Sequence, residues 1–278
     1  MLDHPMRTAI QRALFEDLGP GDVTTDATVS PEAEGEASLI AKEDLVLAGL
    51  PVFHQVFLEL DADIGFEAFF EEGRPVPAGD RVCLLTGRLS TILKGERTAL
   101  NFIQRMSGIA TLTRRYVDRI SATGGRILDT RKTAPGLRLF DKYAVRMGGG
   151  VNHRFGLSDG VLIKDNHIAA AGSIGKAVAL ARRESPHTLK VETEVEDLAG
   201  VQEALDAGAD IILLDNMPVA QIRAAVKLVD GRAMLEASGG VNLDTVKAIA
   251  ETGVYAVSVG ALTHSARAMD LSLEIISA

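Results

Sequence analysis

Asp210-Ile211-Ile212-Leu213-Leu214-Asp215 sets four consecutive aliphatic residues between two aspartates. A run that short and that apolar reads as a strand buried on both faces, the usual state of strands in a parallel sheet covered by helices. Upstream, the spacing predicts a helix over 198–206 stopped by Gly208, and before it a strand over 189–195. Downstream, Pro218 precedes a helix over 219–229, followed by a strand over 233–237, a helix over 243–251 and a strand over 255–259. The same alternation reaches back through a strand over 125–129, a helix over 137–147 ended by Gly148-Gly149-Gly150, a strand over 160–164 and a helix over 174–183. Strands joined by helices pair in parallel through crossovers. A (β/α) barrel and an open doubly wound sheet both fit this pattern.

The first part of the chain follows another rhythm. Strands are expected over 36–42, 64–70 and 81–89, with a short helix between the first two and a turn at Pro75, Pro77 and Gly79. From residue 95 to 120 the pattern is helical. This reads as a smaller α+β domain followed by a long connecting helix. No internal repeat or low-complexity linker interrupts the 278 residues, a length that suits one small and one medium domain.

Hydrophobic residues make up 46% and charged residues 24%, an ordinary balance for a globular enzyme, and the net charge is -9. Such an acidic chain is a poor partner for nucleic acid or anionic membrane. A single cysteine, Cys83, excludes an internal disulfide and a cysteine-rich metal site. Residues 1–11 carry Asp3, His4 and Arg7 and no signal-length apolar core, and no run reaches the roughly 18 apolar residues of a membrane span, so a cytoplasmic location is expected.

Charge is unevenly spread. Between Arg126 and Lys164 stand eight basic residues against three acidic ones, a basic island in an acidic chain, which points to a focused anion site. The polar residues of the second half recur at strand ends. Asp129-Thr130-Arg131-Lys132-Thr133, Lys164, Glu192 with Glu194, Asp215, Glu236 with Ser238-Gly239-Gly240, and Gly260 each lie in or just after a predicted strand. In a parallel barrel these C-terminal ends share the face that carries catalysis. Ser238-Gly239-Gly240 and Gly260 fall after the last two strands, the usual place for a phosphate, where glycine lets backbone N–H groups close on an anion. Glu194 and Asp215 are placed to hold ribose hydroxyls or a hydrated Mg²⁺; taken singly, salt bridges to Lys164 and Lys132 would explain them as well. Arg131 and Arg154 offer planar forks for carboxylates or phosphates, and His153 a further donor.

These residues resemble a known family. Glu16-Asp17-Leu18-Gly19 with Gly21-Asp22-Val23-Thr24-Thr25, Asn101 to Gly108, Asp129 to Thr133, Asn152-His153-Arg154, Leu162 to His167, Leu214-Asp215-Asn216, Glu236 to Gly240 and Val259 to His264 are similar, in order, to the motifs of quinolinate phosphoribosyltransferases. The resemblance implies an N-terminal α/β sandwich domain over 1–112, an irregular (β/α) barrel over 113–267, and a C-terminal helix over 268–278 that returns to the first domain. It implies transfer of phosphoribosyl from 5-phosphoribosyl 1-diphosphate to quinolinate, giving nicotinate mononucleotide, diphosphate and CO₂ in NAD biosynthesis, with Mg²⁺. It implies a homodimer in which Arg105 crosses to the partner's site. Arg131, His153 and Arg154 would then meet quinolinate with Arg105, and Thr130 would be a further substrate-binding residue. Lys132 and Lys164 would serve the diphosphate and the pyridine carboxylates, Glu194 and Asp215 the ribose and metal. Ser238, Gly239, Gly240, Gly260 and Ala261 would cradle the 5-phosphate, and Val259 would be a further substrate-binding residue. Lys132, Lys164, Glu194 and Asp215 are the expected catalytic set. A related phosphoribosyltransferase with another acceptor, such as the molybdenum-transport-associated paralogues, is the alternative.

Overall fold

The computed structural model describes residues 4–277. In chain order the first elements are α1 (His4–Leu18), α2 (Val23–Thr28), β1 (Glu34–Ala41), β2 (Leu45–Val46), α3 (Leu50–Leu58), β3 (Gly65–Ala68), β4 (Pro75–Val76), β5 (Arg81–Arg88) and α4 (Leu89–Ile120). The alternation then runs β6 (Arg126–Leu128), α5 (Arg138–Met147), β7 (Val161–Ile163), α6 (Asp165–Ala171), α7 (Ile174–Glu184), β8 (Val191–Val195), α8 (Leu198–Asp206), β9 (Ile211–Asp215), α9 (Val219–Val229), β10 (Met234–Ser238), α10 (Val246–Ala250) and β11 (Ala256–Ser258). The short α11 (Ala261–His264) and the strand β12 (Leu271–Ser277) close the described chain. None of the described helices is long and apolar enough to cross a membrane.

Two compact units result. One runs through Arg114 and takes in Thr133–Gly149 and the chain from Thr263 onward. The other comprises Arg115–Lys132 and Gly150–Leu262. The expected cuts at 112/113 and 267/268 therefore miss an excursion: the segment holding α5 belongs with the first unit.

In the first unit an antiparallel sheet runs β12-β1-β5-β3. The expected C-terminal helix over 268–278 is this strand β12, paired antiparallel to β1 from Ala41↔Leu271 to Glu36↔Ser277. Residue 278 lies outside the described chain. Leu271 and Leu273 are buried while Ser272 between them is not, which is the period of a strand, and Ile275-Ile276 adds β-branched bulk. The segment does return to the N-terminal region, as expected. α1, unread in the sequence, buries the stripe Met6, Ile10 and Leu14, and its Arg7 and Gln11 both reach Glu59 at 2.8 Å. Gly49 precedes α3 at φ 102°; a Cβ there would lie 2.7 Å from Met106 Sδ of α4. Glu72 caps α3 by accepting the N–H groups of Gly49 and Leu50 at 2.9 and 2.7 Å.

The second unit is an irregular α/β barrel whose parallel sheet runs β6-β11-β10-β9-β8-β7. Its register aligns Glu194 with Leu213 and Leu213 with Glu236, then Asp215 with Ser238. Residues two apart share a face. Glu192 and Glu194, Leu213 and Asp215, Glu236 and Ser238 therefore point the same way. The alternate residues Thr193, Ile212, Leu214 and Ala237 are buried on the other side, beneath the helices. Asp197 caps α8 by accepting the Gly200 N–H at 2.8 Å, and Pro218 starts α9 where the sequence put it.

Candidate active site

The C-terminal ends of the parallel strands surround a cavity of about 580 Å³. Thr130, Arg131, Lys132, His153, Arg154, Lys164, Glu194, Asp215, Ser238, Gly239 and Gly240 all line it. So do Leu162, Leu213, Asn216, Glu236 and Ser258, which carried no role in the sequence reading. Arg105, Val259, Gly260 and Ala261 are not among the lining residues. Val259 is buried core at 1% exposure, so its side chain offers a ligand nothing. Arg105 lies in the first unit. There its Nε and one Nη donate to the two oxygens of Asp141 at 2.9 and 2.8 Å, and the same Nη reaches the Thr263 carbonyl at 3.1 Å.

The cations are held by their surroundings. Lys164 Nζ donates to Glu194 Oε2 at 2.7 Å, the salt bridge that the plainer sequence reading suggested. Arg154 Nη1 donates to the Gly160 carbonyl at 3.0 Å. Burial, and after it the charge of Arg131, lowers the Arg154 pKa. That repulsion is the cost of gathering two guanidinium groups at one mouth, and an anion between them relieves it.

Opposite stand the carboxylates and the glycine turn. Asp215 Oδ2 accepts from Nδ2 of its neighbour Asn216 at 2.8 Å, and the Asn216 N–H donates to the Ser238 carbonyl at 2.9 Å. Asn216 adopts φ 53°, a left-handed conformation that only a few non-glycine residues take. Its amide packs on Gly239, which at φ 89° has no room for a Cβ. Asn216 thus ties the acidic strand end of β9 to the phosphate-type loop after β10. In the sequence it stood as the last residue of the motif Leu214-Asp215-Asn216, with no role of its own. Glu194 and Asp215 present hard oxygen donors to one cavity, a donor set that suits Mg²⁺ beside substrate phosphates.

Deeper in the barrel, His153 Nε2 lies 3.1 Å from Glu192 Oε2 and 3.6 Å from Glu236 Oε1. Both glutamates are 4% exposed. Burial, then the Glu192 charge, pushes the Glu236 carboxyl up to about 7. Asp129, fully buried, accepts the His153 N–H at 2.8 Å and the Asn152 amide at 2.6 Å.

Comparison with known proteins gives a consistent answer. Residues 22–107 match the N-terminal domain of quinolinate phosphoribosyl transferase and residues 109–274 its C-terminal domain. A probable nicotinate-nucleotide pyrophosphorylase [carboxylating] of Bacillus subtilis (strain 168) is 42% identical over 270 residues, covering 97% of this chain and 93% of its own. A quinolinate phosphoribosyltransferase [decarboxylating] of Nicotiana tabacum is 44% identical over 294 residues, covering 98% of this chain and 83% of its own. The solved structure of NadC from Streptococcus pyogenes superposes with a TM-score of 0.96 at 44% identity, covering 100% of this chain and 99% of that one.

Proposed function

The chain belongs to the quinolinate phosphoribosyltransferase family, and we propose that its barrel cavity joins quinolinate to the phosphoribosyl group of 5-phosphoribosyl 1-diphosphate, releasing CO₂ and diphosphate and leaving nicotinate mononucleotide. The observation that carries this reading is the convergence of Arg131, Lys132, Arg154 and Lys164 on one cavity with Glu194, Asp215 and the Ser238–Gly240 turn. Two polyanionic substrates need that many cations, and a ribosyl group acquiring positive charge needs the carboxylates.

Arg131, Arg154, His153 and Thr130 form the quinolinate side. Lys132 and Lys164 face the departing diphosphate and the pyridine carboxylates, and the glycine turn receives the 5-phosphate. As the bond to diphosphate lengthens, Glu194 and Asp215 stabilise the ribosyl cation and the pyridine nitrogen attacks it. The pyridinium so formed takes up the electron pair that the departing carboxylate leaves on the ring, and a proton replaces CO₂ at that carbon. No covalent bond to the protein is needed. Glu194 and Asp215 are the groups suited to hold Mg²⁺, directly or through water; when bound, it supplies charge neutralisation for the diphosphate.

A cytoplasmic homodimer, or a higher oligomer built from it, belongs to the same proposal, with Arg105 lent to the partner's site. Its support is the family resemblance; within its own chain Arg105 is held by Asp141. The test is release of CO₂ from carboxyl-labelled quinolinate, in step with diphosphate. Diphosphate release only with another acceptor would turn the assignment to a related transferase. Lys164→Ala should lower turnover by about 10²–10³-fold with an unchanged circular dichroism spectrum. Near-normal steady-state rates would remove Lys164 from the mechanism.

A further inference from the structure

The reaction as described leaves Glu192 and Glu236 without a role, yet they occupy the middle of the barrel. They precede Glu194 and Ser238 by two residues, so the pleat sends them to the same face one layer deeper. A second cavity of about 420 Å³ lies along the starts of the strands, at Ile211 and Met234, and shares His153, Arg154 and Glu236 with the mouth. The cluster is the partition between the two.

His153 decides what the cluster does. Its Nδ1 accepts the backbone N–H of Arg154 at 2.7 Å. An Nδ1 that accepts an N–H leaves the ring's hydrogen on Nε2. His153, Glu192 and Glu236 bring one potential ligand atom each to within 4.8 Å of one another, a spacing that would suit a divalent cation. A protonated Nε2 has no lone pair for a metal. It has a proton to donate, and Glu192 Oε2 stands 3.1 Å away.

We propose that Glu192 is a positioning residue that grips His153 by its Nε2 proton, with Glu236 Oε1 packed 3.6 Å from the same nitrogen, so that the ring, through Nδ1, fixes the backbone of Arg154 and aims its guanidinium at the aryl carboxylate of the acceptor. Asp129 holds the same turn from the other side by accepting the His153 N–H at 2.8 Å. The far end is tied where Arg154 Nη1 meets the Gly160 carbonyl. Glu192 has one oxygen without a hydrogen-bond partner, and so has Glu236. Two buried carboxylates so placed are a poor way to stabilise a fold. Their placement makes sense as a device that orients a neighbour.

This inference rests on quinolinate being the acceptor, and its test separates the two. In the full-length enzyme, Glu192→Gln keeps an acceptor oxygen for the Nε2 proton and Glu192→Leu does not. Glu192→Leu should raise the KM for quinolinate about tenfold, the worth of one buried hydrogen bond to a charged group, and leave the KM for 5-phosphoribosyl 1-diphosphate unchanged. Glu192→Gln should restore it. Nitrogen NMR of the ligand-free wild type should show His153 with a bare Nδ1 and a protonated Nε2. That readout needs neither substrate nor variant, so it stands even where Glu192→Leu fails to fold or quinolinate proves not to be the acceptor. A proton on Nδ1, equal quinolinate KM values in all three proteins, or stoichiometric divalent metal bound at the three side chains would each overturn the proposal.

Discussion

Glu236 has to keep a carboxyl group where water does not reach it, beside a second carboxylate. Its pKa rises from 4.5 to about 7, first through burial and then through Glu192. Below pH 4.5 the group is protonated folded or unfolded, and its contribution to stability is fully present. As pH climbs through 7 the folded protein must bury a charge, and that contribution is lost. Glu236→Gln stays neutral throughout. It should match the wild type near pH 4.5 and become more stable than it by about 2–3 kcal/mol at pH 8, read from denaturant melts at both pH values. A constant offset between the two proteins would show that Glu236 does not titrate in this range. Gly239 makes a second prediction. Its φ of 89° and the Asn216 amide packed against it leave an alanine both strained and crowded. Gly239→Ala should cost about 1–3 kcal/mol in local strain and raise the KM for 5-phosphoribosyl 1-diphosphate well above that for quinolinate. At this scale the sequence was informative where chemistry repeats: Arg131, Lys164, Glu194, Asp215 and Ser238 end or follow strands, and all reach the cavity. It was silent on Glu192 and Glu236 as a pair, because their meeting depends on the register of β8, β9 and β10. The motif Leu214-Asp215-Asn216 marked Asn216 but not its role, which depends on a backbone angle.

Among the elements, α4 and α5 are joined by an ion pair and by the rings of Phe102 and Phe140, 4.8 Å apart. Arg105 on the first donates twice to Asp141 on the second, which is fully buried and also accepts the Ala134 N–H at 3.2 Å. Removing the cation strands a buried carboxylate. Arg105→Ala should therefore destabilise the protein by about 3–5 kcal/mol, measured by urea unfolding; a loss below 1 kcal/mol would mean that water or another cation replaces it. Any activity loss in that variant has to be judged at temperatures where it is folded. Elements with local punctuation were legible: α8 stops where Gly208 announces its end and α9 starts after Pro218. β12 was misjudged because its alternation is brief, two buried leucines followed by exposed residues, and its pairing partner is far away in sequence. α1 was passed over because its apolar stripe is only three residues wide.

For the molecule as a whole, the sequence revealed two kinds of folding rhythm but not how the chain divides between them. A reading of the pattern along the chain sees one change, near residue 112, and only the family resemblance implied the return of the C-terminal segment. The packed protein returns to its first unit twice, at Thr133–Gly149 and again from Thr263. Only long-range pairs carry that information, such as Arg114 Nε with the Gly148 carbonyl or Gln104 with the Leu271 carbonyl. A chain cut after residue 270 leaves β1 as an open edge with its apolar residues uncovered. Such a truncation should be insoluble or aggregate on gentle heating, while the barrel-lining substitution Lys164→Ala should not.

The late arrival of β12 also has a consequence in time. Lys42, at the end of β1, is joined to Glu274 across 232 residues. At the usual pace of translation, roughly 5–20 residues per second, a ribosome needs on the order of ten to fifty seconds to travel that distance. For that interval the nascent chain carries a finished strand with no neighbour on one side. Whatever escorts the emerging polypeptide has to shield that edge until synthesis catches up.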